Sequence, residues 1–406
     1  MDNKYRNQHY VPQWYQRRFI PSDQVDKELY YLSLKPQVIR RINGKTYIEK
    51  EVRKQGTRLC FYEKDLYTTY FGNETSTIIE QNFFGEIDRM GHVAVDYFSK
   101  FKHPSVDGDA FNNLLVYLST QKLRTPKGLS WLANQTRTNN HQTLLRQMVD
   151  LRQLFGAIWT ESVWLIADAS KSNTKFIISD HPVTIYNKKC GPRSQWCREF
   201  NDPDIRFHAS HTIFPLSLDK VLILTNLSWA RNPYQNPIQL RPNPNYFRGA
   251  MFKFTDIQTF RFLNEQEVRE INFIIKSRAY NFIAAAKEEW LYPDKFVTKS
   301  DWNHYGSGYL LMPDPRSLEF ATEILVGYKD GSAMAIDEYG RRPWETGYSG
   351  KKVNNGEFKT FYRFKGEFAS LFGPYRRGRA FNLGKLDEER DTDEFHKYHL
   401  SLVNKK

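Results

Sequence analysis

The feature that most constrains this chain is a β-rich centre set between amphipathic helical segments. SVWLIAD (162–168), KFIISD (175–180), HTIFPLS (211–217) and KVLILTN (220–226) are short apolar runs of strand length. The first two read as a strand pair, and the second stops abruptly at Ser179-Asp180-His181-Pro182. Upstream, Thr75 or Ser76 can cap a helix running to about Lys102, with Ile79, Phe83, Ile87, Met90 and Ala94 on one face. A second helix is expected over Asp109 to Leu123, and LLRQMVDLRQLFGAI continues the helical pattern. Asn264 followed by Glu267 fits a capping box that opens a last long helix to about Lys287. The pattern predicts an α+β fold.

Earlier in the chain, YYLSLK and KTYIEKEVRK alternate as strands about an Asn43-Gly44 turn. After Pro293 the texture changes to Gly, Asp-Pro and short aromatic segments, with a hairpin expected around Asp330-Gly331. We therefore expect a main domain over residues 1–295, mixed helical and sheet, and a smaller β-rich C-terminal module over 296–406. That module would pack on the main body, bind a partner protein or mediate self-assembly.

Charge narrows the partners. The 406 residues hold 59 Lys and Arg against 46 Asp and Glu, a net +13. From Asp301 onward the count is 17 against 16, so residues 1–300 carry 42 against 30. A basic body suits a polyanion, because each cation placed on a phosphate releases counterions. No run reaches the ~20 apolar residues that cross a bilayer, and MDNKYRNQHY lacks the apolar stretch of a secretory signal. Three cysteines make no disulfide framework. The expectation is a cytoplasmic protein that binds nucleic acid and no membrane.

Candidate chemistry begins at HYVPQWYQRRF (9–19). Pro12 suits a first helical turn, which would place Gln13 and Arg17 one turn apart on the same side, with His9 just upstream. Trp14, Tyr15 and Phe19 would pin the segment to a core. Gln121 extends the inward face of Leu114 and Leu118, Arg124 follows three residues later, and Pro126 ends the helix there.

The segment NQHYVPQWYQRRF resembles the opening signature of a bacterial family, domain of unknown function 4238: HxVPQ followed by an Arg/Asn-Phe pair. IIEQNFFGEI, STQKLRTP, FIISDHPV, FPLS and the helix bearing Asn272 match the same family in order, over roughly residues 7–286. That family usually has Asn or Arg where this chain has His181, so the resemblance implies no role for His181. The resemblance implies that His9, Gln13, Glu80, Glu86, Gln121, Arg124, Asp180 and Asn272 form one polar cluster; it implies no reaction.

Residue types supply the reaction expected of such a cluster, which is phosphodiester cleavage. Arg124, with Arg17, would clamp a phosphate, and His9 would act as general acid or base. Asp180 would orient His9 or hold a divalent ion, Mg or Mn, with Glu80 or Glu86. Gln121 and Gln13 would position water or ligand, and Asn272 would touch substrate. In the C-terminal GPYRRGRAF, Arg376 and Arg377 beside Tyr375 would grip nucleic acid. The expectation is a nuclease of DNA or RNA, a toxin-like or anti-phage effector. The alternative is a nucleotide-binding sensor, or a nucleotide or dinucleotide hydrolase, using the same cluster. Cys190, Cys197, His208 and His211 are zinc-competent, but their spacing, C-x6-C-x10-H-x2-H, lies outside the common finger range. The absence of a Gly-rich phosphate loop, a GxSxG elbow and an HExxH motif argues against P-loop, hydrolase-elbow and zincin chemistry.

Overall fold

The computed structural model describes residues 6–40, 46–71, 74–76, 79–101, 107–197, 200–241, 257–298, 302–303, 305, 309–318, 323–337, 341–348, 355–373, 379–380 and 394. Its helices are α1 (Gln13–Arg17), α2 (Gly85–Ser99), α3 (Gly108–Arg124), α4 (Pro126–Thr136), α5 (His141–Asp150), α6 (Gly156–Thr160), α7 (Leu227–Arg231), α8 (Glu265–Arg278) and α9 (Asn355–Phe372). Together with two principal sheets they make a mixed α+β fold, as the sequence predicts.

The larger sheet orders its strands Thr184–Tyr186, His211–Pro215, Lys220–Asn226, Ser162–Asp168, Gln258–Phe262 and Arg379–Ala380. All neighbours are antiparallel except Ser162–Asp168 against Gln258–Phe262. The smaller sheet runs Ile178–Ser179, Phe282–Ala285, Glu28–Ser33, Val52–Gly56, all antiparallel. The pairing of KFIISD with SVWLIAD expected from the sequence is not found: Ile178–Ser179 pairs with Phe282–Ala285, and Ser162–Asp168 pairs with Lys220–Asn226 and Gln258–Phe262. Strand periodicity fixes which face a residue occupies but says nothing about which edge it joins.

Helices α2 and α3 cover one face of the larger sheet, where Trp164 stacks on Phe111 at 4.7 Å and meets Phe98 at 5.4 Å. Burying each such ring stabilises the fold by about 2–3 kcal/mol. A π-helical turn at Ile79–Phe84 precedes α2. Its extra residue per turn shifts the apolar phase, so Ile87, Gly91, Ala94, Val95 and Phe98 face inward, while Met90 is only half-buried. Asp107 caps α3 through Ala110 N–H at 2.8 Å, and Thr125 caps α4 through Gly128 N–H at 3.1 Å. Pro126 stands at the first position of α4, so it ends one helix by starting another. Gly128 is required there: a Cβ would collide with the carbonyl oxygens of Lys122 and Leu123.

The capping box of Asn264 and Glu267 is present, but α8 ends at Arg278, short of the expected Lys287. Phe282–Ala285 leaves the helix to pair with Glu28–Ser33. The hairpin Ile324–Gly327/Ala333–Ile336 turns at Gly331, which has φ +83°. Asn43-Gly44 falls outside the described residues.

The C-terminal third departs most from expectation. Trp302, Tyr305, Leu310 and Leu311 belong to the same core as α2 and α3, so residue 295 lies within continuous packing. KTFYRFKGEFASLF is helical, with Phe361, Phe364 and Phe368 buried at three- and four-residue spacing. Arg379–Ala380 adds an edge to the larger sheet. Among the described residues, no helix is long and apolar enough to cross a membrane.

Candidate functional site

The opening segment is an anchor. Tyr10, Val11, Tyr15 and Phe19 are buried, and Tyr15 Oη donates to Pro215 O at 2.6 Å. The strand Asn7–His9 alternates, so Gln8 and Tyr10 point inward and His9 points the other way. Gln8 Oε1 accepts from Tyr67 N–H, and Gln16 Nε2 donates to Val11 O at 2.8 Å. His9 lies 3.3 Å from Arg58 O and beside Tyr62, half-buried, and burial lowers its pKa. Gln13 and Arg17 do share a face, at 3.5 Å, but Arg17 is exposed. The inward arginine is Arg18, bound to Leu216 O, Asp96 and Ser99.

Arg124 and Gln121 meet as expected. Arg124 Nε donates to Gln121 Oε1 at 2.7 Å, and its terminal nitrogens pair with both oxygens of Asp88 at 3.1 and 2.9 Å. Gln121 Nε2 donates to Tyr10 O at 2.8 Å, and the guanidinium lies between the rings of Phe84 and Tyr117. Burial raises the Asp88 pKa, with Arg124 opposing it. This guanidinium is 1% exposed and held by protein partners, Gln121 and Asp88, so it ties α2, α3 and the N-terminal segment together.

Asp180 and Asn272 are engaged in the same way. Asp180 accepts from the backbone N–H groups of Tyr280, Asn281 and Phe282 at 2.6–2.9 Å, clamping the turn that ends α8. Asn272 Oδ1 accepts from Ile177 N–H, and its Nδ2 donates to Lys175 O at 2.8 Å. Glu86 is exposed on the first turn of α2. The side chain of Glu80, together with Arg376 and Arg377, lies outside the described residues. The backbone brings the signature segments together, but no described hydrogen bond or ion pair joins His9 to Arg124 or Asp180. Each of these side chains takes partners in its own direction; the expected members seen in contact are Gln13 with Arg17 and Gln121 with Arg124.

The zinc set is also dispersed. His208 lies 3.3 Å from Asn232 O, His211 Nδ1 lies 2.9 Å from Thr225 Oγ1, and the two cysteines sit elsewhere, together. Among the described residues, no group of three or more His, Cys, Asp or Glu is placed to hold a metal ion.

A different set of polar groups does converge. A cavity of about 630 Å³ opens between α4, the C-terminal end of α3, the segment after α5 and the loop from Gln195 to Arg206. Its apolar walls include Trp131, Leu132, Leu154, Phe155 and Trp196, and its floor is Lys122, Lys127, His181 and Asp202. Gln135, Gln195 and Trp196 at its edge are exposed. Asp202 Oδ2 lies 3.3 Å from both Lys122 Nζ and His181 Nε2, and Asp202 Oδ1 lies 3.1 Å from Lys127 Nζ. Lys127 also donates to Arg278 O at 2.6 Å. Thr125 Oγ1, which accepts from Gly128 N–H, lies 2.7 Å from His181 Nδ1. The other ring nitrogen, Nε2, lies 3.3 Å from both Asp202 Oδ2 and Lys122 Nζ.

Burial opposes ionisation of Asp202, but Lys122 and Lys127 outweigh it and hold the carboxyl well below its ordinary range. His181 is lowered to about 3 by burial and by Lys122, so its ring is neutral at physiological pH. Burial likewise lowers Lys127 to about 8. Lys122, Thr125 and Lys127 lie in the same STQKLRTPKG stretch as Gln121 and Arg124, on another side of the helix. Lysines at 122 and 127 flanking Pro126 were the sequence signal for this floor; Asp202, in an irregular loop, left none.

A family model described as "Protein of unknown function (DUF4238)" matches residues 7–157 and 129–289. The chain belongs to this family. No curated protein and no solved structure matches it. Family membership accounts for the ordered signature motifs; the geometry gives many of them the work of fastening the N-terminal strand, α3 and α8 around the cavity floor.

Proposed function

We propose that the protein binds a small anionic ligand of the nucleotide class in the cavity on α3 and α4. The observation that carries this reading is the cavity floor, where two lysines face one carboxylate and a neutral histidine. That leaves one positive charge in surplus at the end of a 630 Å³ hollow walled by Trp131, Phe155 and Trp196. A phosphate suits the lysines, and a base suits the aromatic walls. Binding without turnover makes the protein a nucleotide sensor; turnover makes it a nucleotide or dinucleotide hydrolase. The nuclease and anti-phage reading retains the support of the basic composition over residues 1–300, but Arg124 and Asp180 are already occupied by protein partners.

Calorimetric titration with a panel of 5′-mononucleotides and dinucleotides tests the proposal. We expect binding of at least one, weakened about tenfold or more by Lys122→Met, which removes a charge-assisted contact. Chromatography of the mixture then separates sensor from hydrolase. No nucleotide bound at millimolar concentration, alongside salt-sensitive binding of long DNA or RNA, would overturn it in favour of the nuclease.

A further inference from the structure

The loop that walls the cavity carries Cys197, and Cys190, another of the chain's three cysteines, lies a few residues before it. Cys197 is part of the cavity lining, next to Gln195 and Trp196, whose side chains are exposed at the edge. Its sulfur lies 3.2 Å from Arg278 Nη1 and 3.7 Å from Cys190 O. Arg278 is fully buried at the end of α8 and also donates to Cys190 O and to Asn201 O. Its guanidinium therefore holds both cysteine segments in one place. Cys190 thus lies within reach of the Cys197 sulfur through its own backbone, and both cysteines are unbridged.

The two sulfurs are not equivalent. The Cys190 hydrogen bond holds Cys197 below the ordinary thiol range against the effect of burial, with Arg278 adding its charge. Donating that bond, together with burial, pushes Cys190 up. A thiolate beside a guanidinium, reached through a cavity and paired with a neutral thiol, has the parts of a reactive and resolving couple. Cys60 offers the contrast: it is buried against Gln55 and Gly56, and burial pushes it to about 11.

We propose that Cys197 is a peroxide-reactive site of this cavity and that Cys190 resolves it. The Cys197 thiolate attacks the peroxide O–O bond, forming a sulfenic acid and releasing hydroxide or alkoxide; sulfur is oxidised and the peroxide reduced. The Cys190 thiol then displaces the sulfenic oxygen as water, giving a Cys190–Cys197 disulfide with the loss of two hydrogens. The bridge closes a short loop that carries Gln195 and Trp196, so oxidation reshapes the cavity wall. It also removes the thiolate from Arg278. The inference does not depend on which ligand the cavity takes.

The test uses the full-length chain treated with hydrogen peroxide at neutral pH, blocked with N-ethylmaleimide and mapped by peptide mass spectrometry. In the unmodified protein, Cys197 should react on the order of tenfold or more faster than Cys60, and the product should be an intramolecular Cys190–Cys197 disulfide. Cys190→Ser should stop at a dimedone-trappable sulfenic acid on residue 197, and Cys197→Ser should leave Cys190 reduced. Equal reactivity of Cys197 and Cys60 in the unmodified protein overturns the proposal. So does oxidation that yields no bridge to Cys190, or only bridges between chains. Neither outcome depends on how well the variants fold.

Discussion

Replacing Lys127 with methionine tests whether the cavity floor is as dry and as crowded with charge as its geometry indicates. The ammonium is 2% exposed, 3.1 Å from Asp202 Oδ1 and bonded to Arg278 O. Its pKa falls from 10.5 to about 8, chiefly through burial, with Asp202 opposing and Lys122 and Arg278 reinforcing the shift. The folded state therefore holds this proton less tightly than the unfolded chain. The sign follows directly: the penalty is full below pH 8 and is relieved as pH rises from about 8 to 10.5, so stability climbs through that window. At about 1.4 kcal/mol per unit, the change approaches ~3 kcal/mol. Urea unfolding of the wild type and Lys127→Met, run in parallel from neutral pH to about 10.5, isolates this group because every other lysine is common to both. The stability difference should move by about 3 kcal/mol in the wild type's favour across the window. Parallel curves would refute the argument and place Lys127 in water.

Two further substitutions separate structural from ligand roles. Arg124→Ala strands Asp88 without its cation and should cost about 3–5 kcal/mol of stability, measured by urea unfolding; unchanged stability would return Arg124 to the list of free phosphate ligands. Gly128→Ala should lower stability by about 1–3 kcal/mol through collision with the Lys122 and Leu123 carbonyls. A rise in melting temperature, which alanine's helix propensity alone would give, would show that the α3–α4 junction is looser than described.

Much of the fold was legible because its signals are local. The Asn264–Glu267 box, the Pro126 boundary and the Asp330-Gly331 turn each act within a few residues and appear where expected. What failed depends on distant partners. Nothing near Arg278 stops α8 except a carboxylate from Asp180, about a hundred residues earlier, which takes three N–H groups of the following turn. KTFYRFKGEFASLF lies in the module expected to be β-rich, yet its three- and four-residue spacing puts Phe361, Phe364 and Phe368 on one buried helical face. In the site, the contact between Gln121 and Arg124 was readable from helical spacing. The purpose of that contact was not, because Asp88 had no marker distinguishing it from Glu86 two residues before.

The junction of α3 and α4 explains why signature and cavity coincide without sharing side chains. Over the stretch from Gln121 to Gly128 the chain must end one helix, begin the next and bury both ends. Pro126 and the Thr125 cap achieve this, and Gly128 permits the close approach. The turn directs Gln121 and Arg124 toward the N-terminal strand and α2, where a carboxylate and a carbonyl close the network. It directs Lys122, Thr125 and Lys127 toward His181 and Asp202, where two ammonium groups meet only one carboxylate. The first arrangement is balanced in charge, one guanidinium to one carboxylate, and suits a fastening; the second leaves one cation in surplus against a hollow. A motif that fixes the first therefore positions the second, and a ligand's charge is sought at the lysines, not at the arginine.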